Sequence, residues 1–301
     1  MSFRCCTPVS SERARRILGI ADLTDAEIDA LVVRAGELAD GAAPESRSGV
    51  LGVAMFETSL RTRTGFAAAA YRLGMNVIDV DARRASEVSM PESIADTVRT
   101  LSGYADALVV RAPVPAAETD DGVRPDRPWL NAGDRGESAE HPSQALIDLF
   151  AIERLAGPVE HQHLAAIGDL RARSARSLLA LLARRPPRSI TLVTDESLTD
   201  GFELPAELEP FAQFGSRTEL ADADVLLAVG IPHGATTEPV RSRLRIDRSM
   251  LAGVPDDAIV LSPMPIIDEI ASPARRDPRM RYFEQSDLGL LVRMALLEAL
   301  R

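Results

Sequence analysis

The sequence FETSLRTRTGF, residues 56–66, joins a predicted strand to a predicted helix and decides how the rest of the chain is interpreted. The apolar run Gly49–Phe56 is typical of a buried strand. The following segment, Arg61–Leu73, carries apolar residues at helical spacing and ends before Gly74. A helix that begins directly after a strand presents unpaired backbone N–H groups at the positive end of its dipole. The stretch therefore predicts a turn that binds an anion such as phosphate.

Side chains in the same turn support this prediction. Ser59, Arg61 and Thr62 add hydroxyl and guanidinium donors beside the backbone N–H groups. The alternative is a capped and salt-bridged helix start with no ligand.

The length and composition are those of a soluble globular protein with room for two domains. The chain has 301 residues, of which 46% are apolar and 26% charged. No apolar run approaches the ~18 residues that a membrane span requires, and the first residues lack a signal-peptide core. We therefore expect a cytoplasmic protein with no membrane partner.

The formal net charge of −11 argues against general binding of nucleic acid, which requires a basic face. An anionic substrate must then be held by local groups of arginines. All 34 basic residues are arginine, which excludes a lysine Schiff base and a P-loop lysine. The adjacent Cys5 and Cys6 imply no disulfide framework, and His161, His163 and His233 have no partner at metal-ligand spacing. No metal or cofactor is expected.

Strand and helix patterns alternate along the chain, which predicts an α/β fold of two domains, each with a parallel sheet flanked by helices. Strands are predicted at Gly49–Phe56, Asn76–Asp81, Ala107–Arg111, His163–Ile167, Ser189–Thr194, Asp224–Val229 and Ala258–Leu261. Helices are predicted after the capping box Thr24-x-x-Glu27 and at Arg61–Leu73, Glu92–Ala105, Ser143–Leu155, Ala175–Arg184 and Asp287–Leu300. Residues Ala116–Arg127, rich in Asp, Pro and Gly, are predicted as a loop.

Several polar residues follow the predicted strands, at the edge where open α/β sheets bind ligands. Arg61 and Arg111 can make charge-assisted contacts to a phosphate. Thr62 and His141 can donate hydrogen bonds to a carbonyl oxygen. Gln144 can both donate and accept, as a carbamoyl or amide group requires.

At these positions the sequence resembles the aspartate/ornithine carbamoyltransferase family, and within it the aspartate enzymes. The family pattern F-E-x-S-T-R-T-R-x-S-F is similar to residues 56–66. Other similar segments are Tyr71–Gly74, Glu92–Thr97, Val110–Pro113, Asn131–Asp134, His141–Asp148, Gly168–Leu170, Pro263–Ile270, Tyr282–Phe283 and Arg293–Leu297. They recur in family order over nearly the whole chain, and the resemblance rests on their combination.

The resemblance implies carbamoyl phosphate as first substrate, an amine acceptor, and a homotrimer or larger oligomer with active sites shared between subunits. It also implies a carbamoyl phosphate domain of residues 1–141 plus 286–301 and an acceptor domain of residues 142–285. An amine attacks the carbonyl, and the departing phosphate can take up the amine proton. Such a reaction needs no metal or protein nucleophile.

The resemblance also implies a role for each site residue. The turn of Ser59, Leu60, Arg61 and Thr62, together with Arg111, would hold the phosphate, and Thr62, Arg111 and His141 would polarise the carbonyl. Gln144 and backbone carbonyls of Pro263, Met264 and Pro265 would orient the carbamoyl nitrogen. Arg173 would take the α-carboxylate of an amino-acid acceptor. The alternative for Arg173 is a solvated helix face shared with Arg171 and Arg176.

The sequence departs from the family pattern at several of these positions. Leu60 and Ser143 replace threonines, and Met90 stands where the aspartate enzymes have a loop lysine, for which Arg83, Arg84 or Ser86 are candidate substitutes. On the acceptor side, residues 230–234 read GIPHG and lack the arginine and glutamine of the aspartate enzymes. Ile266 likewise replaces an arginine. Arg241, Arg243 and Arg245 are either substitutes for these cations or solvated surface.

Three functions remain open from the sequence. The first is a carbamoyltransferase whose acceptor is not aspartate, with ordinary aspartate carbamoyltransferase as its conservative variant. The second is a catalytically inactive homologue that serves as a structural or regulatory subunit. The third is a different reaction at the same phosphate site, because fold does not fix function.

Overall fold

The computed structural model describes residues 14–81 and 92–300, which form two five-stranded sheets flanked by helices. The strands are Arg16–Ile17 (β1), Val50–Met55 (β2), Asn76–Val80 (β3), Ala107–Arg111 (β4), Trp129–Asn131 (β5), His163–Gly168 (β6), Ser189–Val193 (β7), Ala212–Phe214 (β8), Val225–Val229 (β9) and Ile259–Leu261 (β10). The α-helices are Asp25–Ala39 (α1), Leu60–Arg72 (α2), Ile94–Tyr104 (α3), Ala116–Asp120 (α4), Pro142–Leu155 (α5), Arg173–Arg184 (α6), Glu238–Leu244 (α7), Arg248–Leu251 (α8) and Tyr282–Ala299 (α9). Short 3-10 helices cover Ile20–Asp22, Val159–His161, Glu196–Leu198 and Ala206–Phe211. The predicted α/β fold class is confirmed.

The first sheet has the strand order β3–β2–β4–β5–β1, and its neighbouring strands are all parallel. Strand β2 is buried from Leu51 onward because helices cover both faces of the sheet. Its register with β4 places Met55 opposite Arg111, so both strands end at the same edge. Strand β3 pairs with one edge of β2, and the next strand in the chain, β4, pairs with the other edge. The edge after β2 and β4 is therefore a topological switch point.

The second sheet has the strand order β8–β7–β6–β9–β10 and is also parallel throughout. Its switch point lies after β6 and β9, where Gly168 is opposite Val229. A Cβ at Gly168 would lie 1.9 Å from the carbonyl oxygen of Val229, and the Gly168 φ is +127°. Only glycine fits this strand end.

Helices α5 and α9 connect the two halves of the molecule. Helix α9 packs against α1, α2 and α5, and α5 also packs against α6 of the second half. One apolar cluster accordingly contains Phe66 of α2, Leu146 of α5 and Leu178 of α6. The core is continuous across this junction, and the domain division at residues 141/142 and 285/286 stays a prediction.

The predicted elements lie where the structure has them, with ends that differ by a residue or two, except that α9 begins earlier than predicted, at Tyr282. The prediction that Ala116–Arg127 is entirely loop is wrong, because α4 forms within it. Its first N–H, at Ala116, donates to the buried carboxylate of Asp134 at 2.8 Å. Asp120 in its last turn accepts from the Trp129 indole at 2.6 Å. The two partners lie 18 and 9 residues further along the chain, outside the helix itself, so its local pattern does not reveal them.

Within residues 14–81 and 92–300, no helix combines the length and the apolarity that a bilayer-spanning segment needs.

Candidate active site

A cleft of about 650 Å³ lies at the carboxyl ends of strands from both sheets. Such edges are where open α/β sheets bind ligands. Its walls include every site residue predicted from the sequence: Ser59, Leu60, Arg61, Thr62, Arg111, His141, Gln144, Arg173, Pro263, Met264 and Pro265. The structure thus brings these residues together around one space, although they come from segments far apart in the chain.

The turn between β2 and α2 forms one wall of the cleft. Ser59 is the N-cap of α2, and its Oγ accepts a hydrogen bond from the Thr62 backbone N–H at 3.4 Å. Thr62 is buried, whereas the Leu60 side chain is 71% exposed. Leu60 can therefore serve an anion through its backbone N–H. The first turn of α2 keeps the dipole and the N–H groups that make a helix start an anion site.

Arg293 of α9 packs against α2, the helix that follows this turn. Its guanidinium stacks over the Phe66 ring at 5.5 Å. A Cβ at Gly65 or at Gly289 would lie 2.8 Å from Nη1 of Arg293. Two glycines, one on α2 and one on α9, thus make the space that this side chain fills.

Arg61 and Arg293 form a pair of guanidiniums with no acidic partner in the part of the chain that the structure describes. Burial, and then the nearby Arg61, lower the pKa of Arg293 to about 10, and burial lowers the pKa of Arg61. Arg293 is 4% exposed, and its Nε has no hydrogen-bond partner. Arg61 lines the cleft and Arg293 does not; since an uncompensated buried charge is costly, this pair of cations favours an anion beside Arg61.

Arg111 and His141 meet at the centre of the cleft. Nη1 of Arg111 lies 3.4 Å from Nε2 of His141, and Ser143 Oγ lies 3.3 Å from Nδ1 of the same ring. Burial, and then the neighbouring guanidiniums, hold the pKa of His141 well below its ordinary value, so its ring is neutral at pH 7. Because a guanidinium only donates, Nε2 accepts from Arg111 in this arrangement; in the other tautomer, with the Ser143 hydroxyl donating to Nδ1, the single ring N–H stands on Nε2. A carbonyl oxygen placed between Arg111 and His141 would then accept from both.

Gly133 permits the close approach of these side chains. Its φ is +112°, and a Cβ there would lie 3.1 Å from Nη1 of Arg111 and 3.2 Å from Cδ2 of His141. It would also lie 3.4 Å from Cζ of Arg173. The backbone conformation and the lack of space both favour glycine.

The Glu57 carboxylate contacts three arginines that come from different segments of the chain. Its Oε2 lies 2.9 Å from Nη2 of Arg173 and 3.4 Å from Nε of Arg111, and its Oε1 accepts from Arg135. Burial alone would raise the pKa of Glu57, but Arg135, Arg173 and Arg111 outweigh burial and lower it. In this structure Glu57 is therefore the negative charge that Arg111 and Arg173 share.

Asp148 orients the Gln144 amide. Its Oδ1 accepts from Nε2 of Gln144 at 2.7 Å and from Nε2 of Gln285 at 2.6 Å. Burial raises the pKa of Asp148 to about 7, although both amide hydrogen bonds oppose this. Because the Gln144 nitrogen is engaged, its Oε1 is left as the acceptor toward the cleft. An acceptor in this position suits the N–H₂ group of a carbamoyl donor.

Gln285 extends the same network to the segment of residues 263–265. Its Oε1 accepts from the backbone N–H of Ser262 at 2.8 Å, and Ser262 Oγ accepts from the backbone N–H of Met264 at 3.1 Å. Met264 has a φ of +52°, in the left-handed region that costs a non-glycine residue roughly 1 kcal/mol or more. The network thus ties Gln144 and the residue 263–265 segment to one buried carboxylate.

The three arginines near the acceptor side are all engaged elsewhere. Arg241 is bonded to Asp268 and to the carbonyls of Ile231 and Pro232. Arg243 pairs with Asp195 at 2.7 Å, and Arg245 pairs with Asp268 at 3.0 Å. None of the three lines the cleft.

The hypothesis that these arginines replace the missing acceptor-side cations is therefore wrong. The alternative of a solvated surface is wrong for Arg241, which is 6% exposed. Its buried position follows from its bonds to Asp268 and to two carbonyls, none of which the sequence pattern reveals.

Glu269 takes their place in the wall of the cleft. It is 5% exposed, and its Oε2 accepts from the backbone N–H groups of Ile267 at 2.9 Å and Asp268 at 3.1 Å. Its Oε1 is buried and has no hydrogen-bond partner in the structure. Opposite it, a Cβ at Gly230 would lie 3.9 Å from this oxygen. The acceptor side thus carries an unpaired carboxylate oxygen beside a position without a side chain.

Sequence reasoning missed Glu57, Asp148, Glu269 and Arg293 as functional residues. All four lie within or beside segments that resemble the family, so the resemblance was a signal for them. Their partners, however, come from distant parts of the chain. The candidate loop residues Arg83, Arg84, Ser86 and Met90 lie outside the described residues.

No group of three or more His, Cys, Asp or Glu side chains suited to a metal ion occurs in the described part of the chain.

Fold and site together define a two-domain α/β protein with a cationic ligand cleft at two switch points. The family model "Aspartate/ornithine carbamoyltransferase, carbamoyl-P binding domain" matches residues 15–154. The aspartate carbamoyltransferase catalytic subunit of Halorubrum lacusprofundi is 36% identical, covering 96% of this chain and 95% of the relative. That of Thermofilum pendens is 33% identical, covering 94% of each. The chain belongs to the aspartate/ornithine carbamoyltransferase family, as the resemblance indicated.

Solved structures agree with this assignment. Aspartate transcarbamoylase from Trypanosoma cruzi, in complex with N-(phosphonacetyl)-L-aspartic acid, superposes with a TM-score of 0.81 at 29% identity and covers 96% of this chain and 97% of its own. The catalytic subunit of M. jannaschii aspartate transcarbamoylase gives a TM-score of 0.79 at 29% identity, covering 95% and 97%. The fold is therefore that of the aspartate transcarbamoylases.

Proposed function

We propose that the protein moves the carbamoyl group of carbamoyl phosphate to the amine of an amino-acid-like acceptor other than aspartate. The observation that carries the proposal is the composition of the cleft. It joins the turn around Arg61 to a neutral His141 and to the free oxygen of Gln144. Each of these features matches one part of carbamoyl phosphate.

The phosphate would bind the Ser59–Thr62 turn and Arg111. Backbone N–H groups, the helix dipole and two guanidiniums favour a dianion there. The carbamoyl nitrogen would donate to Oε1 of Gln144 and to backbone carbonyls of residues 263–265. Asp148 fixes the amide orientation that this requires.

Carbamoyl transfer forms a C–N bond to the acceptor amine and breaks the C–O bond to phosphate. Phosphate leaves with the electron pair of that bond and can take the proton that the amine loses. Thr62, Arg111 and His141 would donate to the carbonyl oxygen as it gains charge, each worth roughly 3–4 kcal/mol. Holding both substrates in place could contribute ~7–11 kcal/mol.

Arg173 would bind the α-carboxylate of the acceptor. Its guanidinium now pairs with Glu57 and lines the cleft, so a substrate carboxylate would compete with Glu57 for it. Two features support an acceptor other than aspartate. Residues 230–234, directly after β9, contain no arginine or glutamine, and Ile266 stands where the aspartate enzymes have an arginine.

A homotrimer or larger oligomer with shared sites is part of the same proposal. The family resemblance supports it. The cytoplasmic location stays a prediction.

Calorimetric titration of fresh carbamoyl phosphate at low salt tests the donor site. We expect binding by the wild type and a loss of at least about 100-fold in Arg61→Ala, because a charged contact is removed. Arg63→Ala is the matched control, since Arg63 pairs with Asp79 outside the cleft and should leave binding unchanged. No binding by the wild type would refute the proposal. Binding without phosphate release for any amine would instead favour the catalytically inactive homologue.

A further inference from the structure

We infer that the acceptor is an α-amino acid with a single carboxylate and an uncharged, apolar side chain, and that Ile267 contacts this side chain. The inference rests on the proposed carbamoyl transfer and names the acceptor class for the same cleft. Amino acids whose side chains carry a second carboxylate or an ammonium are the classes that it disfavours.

The cleft wall that follows β9 and β10 gives the first reason, because the side chains that it exposes are mainly apolar. Its lining includes Pro232, Met264, Pro265 and Ile267. The Ile267 side chain is 41% exposed, so a ligand in the cleft can reach it. Covering apolar surface with an apolar ligand group is favourable, whereas an ionised group at the same place loses its hydration without compensation.

The supply of cations gives the second reason. Three arginines among the described residues line the cleft, and each has a role in the proposed reaction. Arg61 and Arg111 bind the phosphate, and Arg173 binds the α-carboxylate of the acceptor. The arginines bonded to Asp268 do not line the cleft. Within the part of the chain that the structure describes, a second carboxylate on the acceptor therefore has no ionic partner.

The turn that carries Ile267 gives the third reason, because its backbone is held on both sides. Oε2 of Glu269 accepts from the backbone N–H groups of Ile267 at 2.9 Å and of Asp268 at 3.1 Å. The Ile267 carbonyl accepts from Nη2 of Arg275 at 3.2 Å. These bonds fix the Ile267 side chain at the cleft. The Glu269 carboxylate beside it also repels a second anion on the acceptor, since like charges placed together are costly.

Gly230 leaves room for the acceptor side chain at the same wall. It lines the cleft, and a Cβ at this position would have the Glu269 carboxylate, 3.9 Å away, as its nearest neighbour. Side-chain atoms of a ligand therefore have space between Gly230 and Ile267.

The reaction with such an acceptor is carbamoylation of its α-amine. The neutral amine forms a C–N bond to the carbamoyl carbon, and the C–O bond to phosphate breaks. Phosphate leaves with the electron pair of that bond and takes the proton that the amine loses. The products are an N-carbamoyl amino acid and inorganic phosphate, and the acceptor side chain takes no part in the chemistry.

An acceptor panel with carbamoyl phosphate tests the inference. The panel compares glycine, L-valine, L-leucine, L-asparagine, L-aspartate and L-ornithine, with phosphate release and the mass of the N-carbamoyl product as readouts. We expect kcat/KM for valine or leucine to exceed that for aspartate and ornithine by tenfold or more, and that for glycine by fivefold or more. Asparagine has the size of aspartate without its charge, so it separates charge repulsion from apolar contact. A preference for any acceptor other than valine or leucine would overturn the inference.

The variant Ile267→Thr assigns the apolar contact to this residue. It keeps the branch at Cβ but replaces the ethyl arm with a hydroxyl. We expect the ratio of kcat/KM for valine to that for glycine to fall by threefold or more, because glycine has no side chain to lose the contact. Val33→Thr, at a 60% exposed position of α1 outside the cleft, is the matched control and should keep the wild-type ratio. An unchanged ratio in Ile267→Thr would overturn the inference.

Failure of this inference is distinguishable from failure of the proposed function. If carbamoyl phosphate does not bind, the proposed function fails and the inference fails with it. If ornithine is the preferred acceptor, the proposed function stands and the inference alone fails. If carbamoyl phosphate binds but nothing turns over, each acceptor is titrated into protein saturated with inorganic phosphate. Binding of valine or leucine that exceeds binding of aspartate and weakens in Ile267→Thr supports the inference, and its absence overturns it.

Discussion

Glu57 and Arg173 form an ion pair, 2.9 Å between Oε2 and Nη2, that joins the end of the first sheet to the first turn of α6. The same carboxylate also contacts Arg111, so one acid serves cations from both sheets. Glu57 therefore both stabilises this arrangement and competes with any anion that binds there. Substitution of Glu57 should therefore lower the stability of the protein and increase the stabilisation by a bound anion.

Replacing Glu57 with Gln should destabilise the protein by roughly 1.5–3 kcal/mol, the usual worth of hydrogen bonds to a charged group, because the ion pair is only partly buried. Inorganic phosphate should then raise the Tm of Glu57→Gln by more than it raises that of the wild type, because the anion no longer competes with Glu57. Thermal melts with and without phosphate measure both effects. The exposed acid Glu37, paired with Arg34, provides the control Glu37→Gln, which should change neither quantity.

The raised pKa of Asp148 predicts that the free energy of unfolding falls as pH rises. Its pKa is raised from 3.8 to about 7 in the folded protein, so its contribution is fully present below pH 3.8 and is lost as pH approaches 7. The shift corresponds to about 4 kcal/mol. Asp148→Asn, which keeps an acceptor for both glutamines, should therefore be more stable than the wild type at pH 8 and gain nothing near pH 4. Urea unfolding at the two pH values measures this difference, and equal gains at both would contradict it.

His141 predicts a pH–rate profile without a histidine limb near 6.5, because burial keeps its pKa well below that value. The free energy of unfolding, unlike the rate, should depend on pH through His141. The unfolded chain takes up a proton on His141 below pH 6.5 and the folded chain does not, so stability is lost as pH falls below 6.5. His141→Ala should lower kcat by about 10²–10³ through loss of one donor. His163→Ala, outside the cleft, is the control; a limb near 6.5 that vanishes in His141→Ala would refute the assignment.

Gly133→Ala should lower both stability and activity. The φ of +112° alone costs an alanine roughly 1–2 kcal/mol, and the new methyl would press on Arg111 and His141. Gly41→Ala separates these effects, because Gly41 has a φ of +93° but nothing within 4 Å of its Cβ position. Tm and kcat of both variants are the measurements. Equal losses of activity would show that crowding at the site plays no part.

Sequence patterns predicted the fold well because the central strands are apolar on both faces and the helices begin at local signals. The Thr24 and Ser59 caps are examples of such signals. Strands β1, β5 and β8 lack this information, since they have only two or three residues and depend on pairing with a neighbour. Helix α4 likewise depends on partners that follow it in the chain.

The site could be predicted only where a site residue lies next to a local sequence signal. Motifs located Arg61, Arg111, His141 and Gln144, because each follows a recognisable strand or begins a helix. Which cation meets which acid was not predictable. Arg241 pairs with Asp268, and Oε1 of Glu269 has no partner. This pairing depends on the three-dimensional structure and is not encoded in a local sequence pattern.

The Arg293 guanidinium between Gly65 and Gly289 restricts which sequences this fold can accept. Any side chain at either glycine displaces a charge that also faces Arg61, so the three positions should be able to change only in concert. A library that randomises all three together should recover larger residues at 65 or 289 only where residue 293 has become shorter. Helices α2 and α9, from opposite ends of the chain, would then evolve as a single unit.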